Sequence, residues 1–279
     1  MIRVQTGGRM GNQMFQLAFA HAAAARLGTT YVYGRPPFKD DVLGPPLWRL
    51  FDIGEWSRPT LRLRRYAAFL ARYGPRAPVV KLDHDEEPAA VLDSLREGVV
   101  YAGFYQSEQW FAGHEDRVRA MFDPLPRFWD EYRGRYGSQA RPYVCMHVRR
   151  GDYLATGGWA LPTSWFRDAL EAVPDLDRYD VVVVTDDPVG VREELRDAGP
   201  IRCESNSMMV DLLLLMHADV VIASNSSFSW WGAWLNRRDA HVIAPRHWLG
   251  FAAGIEQPRG AIPERWQQIP VRDAPLVSG

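Results

Sequence analysis

The residues of this chain best suited to chemistry fall in four short polar clusters, each placed directly after a hydrophobic, β-branched run. TGGRMGNQ follows Ile2 to Gln5, RRGDY follows Tyr143 to Val148, TDD follows VVVV at 181–184, and SNSSFS follows VVIA at 220–223. HVRRGDY, residues 147–153, is the most informative of these, because an apolar strand turns cationic at its end. Along a strand, Tyr143, Cys145, His147 and Arg149 face one way, while Met146, Val148 and Arg150 face the other. Two adjacent guanidiniums can fork the oxygens of a diphosphate, and Asp152 can hold one of them in place. The same residues also suit a salt-bridged turn. His147 fits either a satisfied core position or a ligand contact.

The glycine turn at Gly7, Gly8 and Gly11 runs straight into a helical pattern, which sets backbone N–H groups beside a positive helix end and suits a phosphate or a sugar hydroxyl. It lacks the third spaced glycine of a dinucleotide fingerprint. It reads equally as a tight β-to-α turn with Asn12 as the N-cap. Thr185, Asp186 and Asp187 precede Pro188, where an Asp commonly caps a helix; the alternative is a carboxylate accepting from a base N–H or a ribose hydroxyl. Ser224, Asn225, Ser226 and Ser227 gather at a helix N-terminus, which again suits an anion. Behind them Phe228, Trp231 and Trp234, at i, i+3 and i+6, read as core rather than as a sugar platform. No cluster with metal-ligand spacing supplies an obvious divalent site, so the expectation is a metal-free clamp and no cofactor.

Short β-branched runs alternating with helical patterns are the mark of an open parallel α/β sheet, and ligands bind such sheets outside the carboxyl ends of the strands. The second half predicts strands at Tyr143 to Val148, Asp180 to Val184, Ile201 to Glu204, Val220 to Ala223 and Ala240 to Ala244. Helices are expected at Thr163 to Val173, Pro188 to Asp197, Met208 to His217 and Ser227 to Asn236. The unbroken VVVV is what a strand covered on both faces requires. The N-terminus starts as βαβ: a strand at Ile2 to Gln5, a helix to about Leu27 with Met14, Leu17, Ala18, His21 and Ala25 on its apolar face, Gly28 as its end, and a strand at Thr29 to Tyr33. Val99 to Gly103 reads as a further strand, with Ser107 capping the short helix after it. Two α/β units meeting near Gly137 to Arg141 give a division into residues 1–138 and 139–279.

The length of 279 residues accommodates one large domain or two ordinary ones. Hydrophobic residues at 47% and charged residues at 24% set disordered and fibrous classes aside. With 33 basic and 34 acidic residues the formal charge is -1, which gives no global pull toward nucleic acid. Lys39 and Lys81 are the only lysines, so nearly every cation is an arginine. Arg58, Arg62, Arg64, Arg65, Arg72 and Arg76 crowd a stretch without acids around the helix expected from Pro59 to Tyr73. That helix is either a solvated face offset by the acidic loop after it, or a surface that meets a membrane or an acceptor. Cys145 and Cys203 are too few for a disulfide scaffold and sit in apolar runs as small buried hydrophobes. The N-terminus has no secretory apolar core, and Met208 to Ala223 is broken by Asp211, His217 and Asp219, short of a membrane span. The expected location is cytoplasmic, at the inner face of the membrane if the Pro59 to Tyr73 helix makes that contact.

GGRMGNQMFQ, AGFYQSEQWF at 102–111, HVRRGDY, TDDP at 185–188 and SNSSFSWWGAWLN at 224–236 resemble, in order, the motifs of the α-1,2-fucosyltransferases. The resemblance spans residues 7–248, with no counterpart for residues 34–97. It implies a GT-B-like α/β fold in which two Rossmann-like parallel-sheet domains face a central cleft, with GDP-β-L-fucose held mainly by residues 139–279 and the acceptor sugar mainly by residues 1–138. It also implies inverting transfer without a metal, usually to O2 of a galactose. Carried over by position, Arg149 and Arg150 would bind the donor phosphates, with His147 and Asp152 shaping the pocket. Thr185 and Asp186 would lie at the guanine or ribose. Ser224, Asn225, Ser226, Ser227 and Phe228 would line phosphate and fucose, and Gly8, Gly11 and Asn12 would approach the donor from the N-terminal domain. The soluble bacterial members, which build surface polysaccharide or glycolipid, are the nearer type.

Inversion calls for a base on the sugar face opposite the leaving GDP. Glu108, Asp40, Asp41 and Glu55 lie in the acceptor half, and nothing in the sequence chooses among them. Competing readings are a GDP-fucose or GDP-arabinose enzyme acting on a non-galactose acceptor, and a nucleotide-sugar-binding or lectin-like module without turnover. The paired arginines disfavour the module.

Overall fold

Most strands here are short and buried, the pattern of parallel sheets whose faces helices cover. The computed structural model describes residues 1–34, 44–139, 141–155, 158–204 and 206–273, apart from the side chains of Glu55 and Trp56. Contacts divide the chain into a first unit, Met1–Leu125 with Pro258–Ala261, and a second, Pro126–Gln257 with Ile262–Gly279.

The first unit contains β1 (Ile2–Val4), α1 (Met10–Arg26), β2 (Tyr31–Tyr33), α2 (Pro59–Tyr73), β3 (Val79–Lys81), α3 (Pro88–Asp93), β4 (Val100–Ala102) and α4 (Glu115–Met121). Its sheet has the order β2-β1-β4-β3 with every pair parallel. Met14, Leu17 and Ala18 of α1 are fully buried, as their spacing predicts, and Gly28 at φ +59 ends the helix. The expected apolar face goes astray at the far end: His21 is half-buried and Ala25 exposed, while Ala22, Ala23 and Ala24 are buried instead. A run of alanines offers no polar contrast from which to read a face. Helix α2 packs Tyr66, Phe69 and Tyr73 toward Val32 of β2 and Val100 of β4. Its outward positions Leu63, Arg64, Ala67, Ala68, Ala71 and Arg72 are exposed. Strand β3 escapes the sequence pattern because it is an edge strand whose Val79 is 55% exposed.

The second unit contains α5 (Pro126–Tyr136), β5 (Tyr143–Val148), α6 (Gly151–Ala155), α7 (Thr163–Glu171), β6 (Asp180–Thr185), α8 (Pro188–Glu194), β7 (Ile201–Glu204), α9 (Met208–His217), β8 (Val220–Ile222), α10 (Ser227–Trp234), β9 (His241–Pro245) and β10 (Gln267–Ile269). The order is β10-β9-β8-β5-β6-β7, again all parallel. The division differs from the sequence-based one at 138/139. Helix α5 belongs to the second unit, where it packs on α9 and sets the Trp129 ring 5.1 Å from His217. The chain breaks at Pro124 and Pro126, before this helix rather than after it. Helix α9 is largely apolar and its Leu212, Leu213, Leu214 and Leu215 are buried, which accounts for the most hydrophobic stretch without a membrane. Among the described residues, no helix is long and apolar enough to cross one. Cys145 is fully buried, but Cys203, on edge strand β7, is only half-buried.

The second sheet reverses its order of growth once, between β5 and β8; in the first, the chain leaves β1 toward β2, crosses to the far edge for β3 and returns to insert β4 beside β1, so that β1 and β4 are the neighbours at which the direction of winding changes. Those are the switch points at which open α/β sheets bind ligands.

Candidate functional site

At the switch point of the second unit, the loops after β5 and β8 lie side by side, with the loop after β6 next to them. Strand alternation sends the two arginines to opposite faces. Val144, Met146 and Val148 enter the core that contains Trp165, Phe166 and Val191, and Arg150 follows them. Arg150 is 3% exposed. Its guanidinium pairs with Glu194 and donates to Leu161 O (2.7 Å) and to Thr163 Oγ1 (3.2 Å). It also lies 5.4 Å from the Phe166 ring. The expectation that Arg149 and Arg150 together fork a diphosphate is therefore corrected. Arg150 is a buried strut whose donors are engaged by α8 and the start of α7, and a buried guanidinium is tolerated only when so paired.

Arg149 continues the other face. It pairs with Asp152, as expected, and its Nη1 lies 2.8 Å from Asp186 Oδ2. Its side chain keeps 15% exposure, and two carboxylates leave part of a five-donor fork available. Asp186 also accepts from the Arg150 N–H (2.8 Å), so this carboxylate ties β6 to the end of β5 and orients Arg149. The approach depends on Gly151, where a Cβ would lie 2.4 Å from Asp186 Oδ2. Thr185 Oγ1 accepts from the Asp187 N–H, and Asp187 caps α8 by accepting from Gly190 N–H at 3.0 Å, the capping alternative of the TDD cluster.

His147 is 5% exposed, with Nδ1 2.8 Å from Ser224 Oγ and its ring 5.2 Å from Phe228. Burial, reinforced by the Arg149 charge, pushes its pKa down to about 3, so the imidazole is neutral at ordinary pH. The core alternative for His147 is the one realised. Of the SNSS residues, Ser224 and Asn225 are buried at 1% exposure and Ser226 at 7%. Ser224 holds His147, the Asn225 amide donates to Trp159 O (2.8 Å), and Ser226 caps α10 by accepting from Phe228 N–H. These three build the turn through those bonds, while Asn225 keeps its Oδ1 buried without a partner; Ser227 and Phe228 are the members that stay half-buried. Trp231 and Trp234 are core, as expected, together with Trp230.

At the switch point of the first unit, the loops after β1 and β4 meet. Gly8 adopts φ +72, which only glycine takes without cost. Asn12 is not the helix cap, since α1 starts at Met10 and Arg9 stands at the N-cap without a capping side-chain bond. Instead Asn12 Oδ1 accepts from Gln106 Nε2 at 2.9 Å. The glycine turn is less open than its sequence suggests: Gly7 N–H donates to Gln16 Oε1 (3.0 Å), Gln13 Nε2 to Gly8 O (3.2 Å) and Gln16 Nε2 to Gly103 O (3.1 Å). Gly11 is buried inside α1. Ser107 accepts from Gln109 N–H, the capping role expected of it. Glu108 is half-buried, whereas Asp40, Asp41 and the Glu55 side chain lie outside the described residues.

Gln13, Gln16, Gln106, Gly151, Thr163 and Glu194 were absent from the sequence-based site. Gln106 and Gly151 fall inside the motif blocks, while Thr163 and Glu194 carry no local signal. Among the described residues, no group of three His, Cys, Asp or Glu side chains could hold a metal ion.

The model of glycosyl transferase family 11 matches residues 94–258. Alpha-1,2-colitosyltransferase of Escherichia coli is 25% identical to this chain, over 96% of it and 99% of that protein. Galactoside 2-alpha-L-fucosyltransferase of Caenorhabditis elegans is 26% identical over 84% of this chain and 68% of its own length. Among solved structures, a mutant of Arabidopsis thaliana FUT1 in complex with GDP is similar at TM-score 0.52, 13% identity, 87% of this chain and 69% of that one. POFUT1 in complex with GDP is similar at TM-score 0.50, 15% identity, 86% and 94%. At such identities the structural likeness speaks for the fold, the GT-B-like α/β class. The family match runs from the first unit's 102–111 block through the second unit's switch point. The chain therefore belongs to glycosyl transferase family 11, the α-1,2-fucosyltransferase family that its motifs resemble, and is a glycosyltransferase.

Proposed function

We propose that this enzyme transfers L-fucose from GDP-β-L-fucose, with inversion and without a metal, to the 2-hydroxyl of a galactose in an oligosaccharide or glycolipid. The observation that carries the reading is Arg149, a partly exposed guanidinium at a sheet switch point, oriented by Asp152 and Asp186. The names of the two similar transferases, one from Escherichia coli and one from Caenorhabditis elegans, both carry a 1,2 or 2-alpha linkage and support the regiochemistry.

Breaking a glycosyl phosphate bond leaves a cation-like sugar and builds charge on the departing GDP. A guanidinium held in advance where that charge develops stabilises the transition state more than the ground state. Arg149 is such a group because its neighbours already fix it. Asp186 has its oxygens engaged by Arg149 and the Arg150 N–H, so its part is orientation, and Asp152, more exposed, can release the guanidinium to the diphosphate. Ser227 and Phe228, at the start of α10, are the side chains of that loop left to meet the donor beside a positive helix end. Neutral His147 supports the loop through Ser224 and serves neither as a cation nor as the acceptor's base.

A second donor is favoured by the similarity to the colitosyltransferase, which covers nearly all of both chains. Colitose is fucose without its 3-hydroxyl, so the same phosphate clamp serves both donors. Incubation with GDP-fucose or GDP-colitose, with lactose and with or without EDTA, tests these readings. An α-1,2-fucosylated product whose yield is indifferent to EDTA is the expected result. The absence of both hydrolysis and transfer with GDP-fucose would exclude it as donor, transfer from GDP-colitose alone would establish the second reading, and loss of activity in EDTA would defeat the metal-free mechanism.

A further inference from the structure

Helix α2 of the first unit is covered on one side only, and the other side has an unusual composition. From Ser57 to Leu82 the chain carries seven cations and no acid. Tyr66, Phe69 and Tyr73 pack toward the sheet, and the Arg62 guanidinium lies 5.2 Å from the Trp48 ring. Outward stand Leu63, 52% exposed, and Ala67, Ala68 and Ala71, with Arg58, Arg64 and Arg76 exposed as well. A face built only for water mixes both signs of charge with neutral polar groups. This one sets cations among apolar side chains, and α2 contains no acid, no amide side chain and no serine. The acidic run after the helix is largely engaged elsewhere. Glu87 pairs with Arg259 at 2.7 Å, Asp93 with Arg26, and Glu97 with the Met1 amino group at 2.7 Å. Glu97 also reaches Arg72, at 3.5 Å. Arg58, Arg64 and Arg76 enter no ion pair among the described residues.

We propose that the outer face of α2 is an interaction surface that docks on a bilayer containing anionic phospholipids. Lipid phosphates supply the negative charge that the exposed guanidiniums lack, and the N–H fork of arginine suits phosphate oxygens. The leucine and alanines between the cations enter the boundary of headgroups and acyl chains, an environment that a dissolved polyanion does not offer. The formal charge of the whole chain is -1, so the attraction is local to this face and orients the molecule on the surface. The contact is shallow, because α2 keeps its inner side on the sheet. It requires no turnover and stands whether or not the proposed donor is correct.

Cosedimentation of the full chain with vesicles tests the proposal, using an equal mixture of phosphatidylglycerol and phosphatidylcholine against phosphatidylcholine alone. The wild type should bind the mixture and not the neutral vesicles, and added salt should release it as the attraction is screened. Arg58→Gln, Arg64→Gln and Arg76→Gln together should weaken binding on the order of a hundredfold, about fivefold for each cation near the surface. Leu63→Ser should weaken it about fivefold through lost apolar contact. All four positions are exposed, so the melting temperature should stay within about a degree of wild type. The single Arg64→Gln, with its fivefold loss, carries the test if the triple variant fails to fold. No binding to the mixture, equal binding to both kinds of vesicle, or wild-type binding in the Arg64→Gln and triple variants would overturn the proposal. Binding to soluble polyphosphate as tight as to the vesicles, and indifferent to Leu63→Ser, would overturn it in favour of an anionic polymer.

Discussion

The two switch points solve the same topological problem with different chemistry. In the first unit the polar groups are amides on a glycine turn: Gln13, Gln16 and Gln106 brace Gly7, Gly8 and Asn12 with neutral hydrogen bonds. In the second, a guanidinium stands between two carboxylates at the end of β5, beside the N-terminus of α10. A neutral, directional array suits sugar hydroxyls and glycosyl oxygens, whereas a fixed cation suits a diphosphate that gains charge as it leaves. The two sheet ends of one doubled architecture are therefore suited to different chemical groups. Strand alternation sharpens the contrast further, because adjacent Arg149 and Arg150 serve the site and the core respectively.

The largest expected break in this comparison is Arg149→Ala. Turnover should fall about a hundredfold or more, the loss of about 3 kcal/mol of transition-state stabilisation, with the melting temperature unchanged within about a degree. Arg150→Met should do the reverse. Removing one partner of a largely buried ion pair costs about 3 kcal/mol of stability, moderated here because Glu194 is partly exposed, while the activity per folded molecule is retained in the cold. Denaturant titration beside initial rates separates the two variants. A smaller effect is expected at the first switch point, where Gly8→Ala would press a methyl group onto Asn12 and force a positive φ on a residue with a Cβ. A loss of about 1 kcal/mol of stability and a fall in kcat should both appear. A kcat equal to wild type would remove the link between that turn and turnover.

The smallest effect is in pH dependence. The folded-state pKa of His147 is depressed to about 3 from an ordinary 6.5, so the unfolded chain binds the proton first as pH falls. The stability due to His147 is complete above about pH 6.5 and is lost progressively toward pH 3. Between about pH 6.5 and 5.5 the loss is about 1 kcal/mol, and His147→Asn should flatten that slope. An unchanged slope in the variant would show that the depressed pKa is not realised.

Much of the fold was legible because hydrophobic periodicity reports burial. The helix limits at Pro59–Tyr73 and Met208–His217, and the strand at Tyr143–Val148, coincide with the structure, and VVVV is a covered strand. Strand β3, exposed on an edge, and the alanine tract of α1 gave no contrast to read. The four polar clusters were legible as cluster positions, but the roles of their members were not. Residue type alone made Ser224, Asn225 and Ser226 look like ligand groups, whereas burial turned them into scaffold. Period-two alternation already placed Arg150 on the opposite face from Arg149, and that geometric signal outweighs the attraction of two adjacent cations. Glu194 and Gln106 reach their partners across 44 and 94 residues of sequence, a distance at which no local pattern speaks.

The central claim is that Arg149 and not Arg150 holds the diphosphate, and calorimetric titration of GDP into the wild type, Arg149→Ala and Arg150→Met tests it most directly. Arg149→Ala should weaken GDP binding about tenfold or more, the worth of a charge-assisted hydrogen bond, while Arg150→Met binds GDP as the wild type does at a temperature where it is folded. Wild-type affinity in Arg149→Ala, or a comparable loss in folded Arg150→Met, would contradict the account.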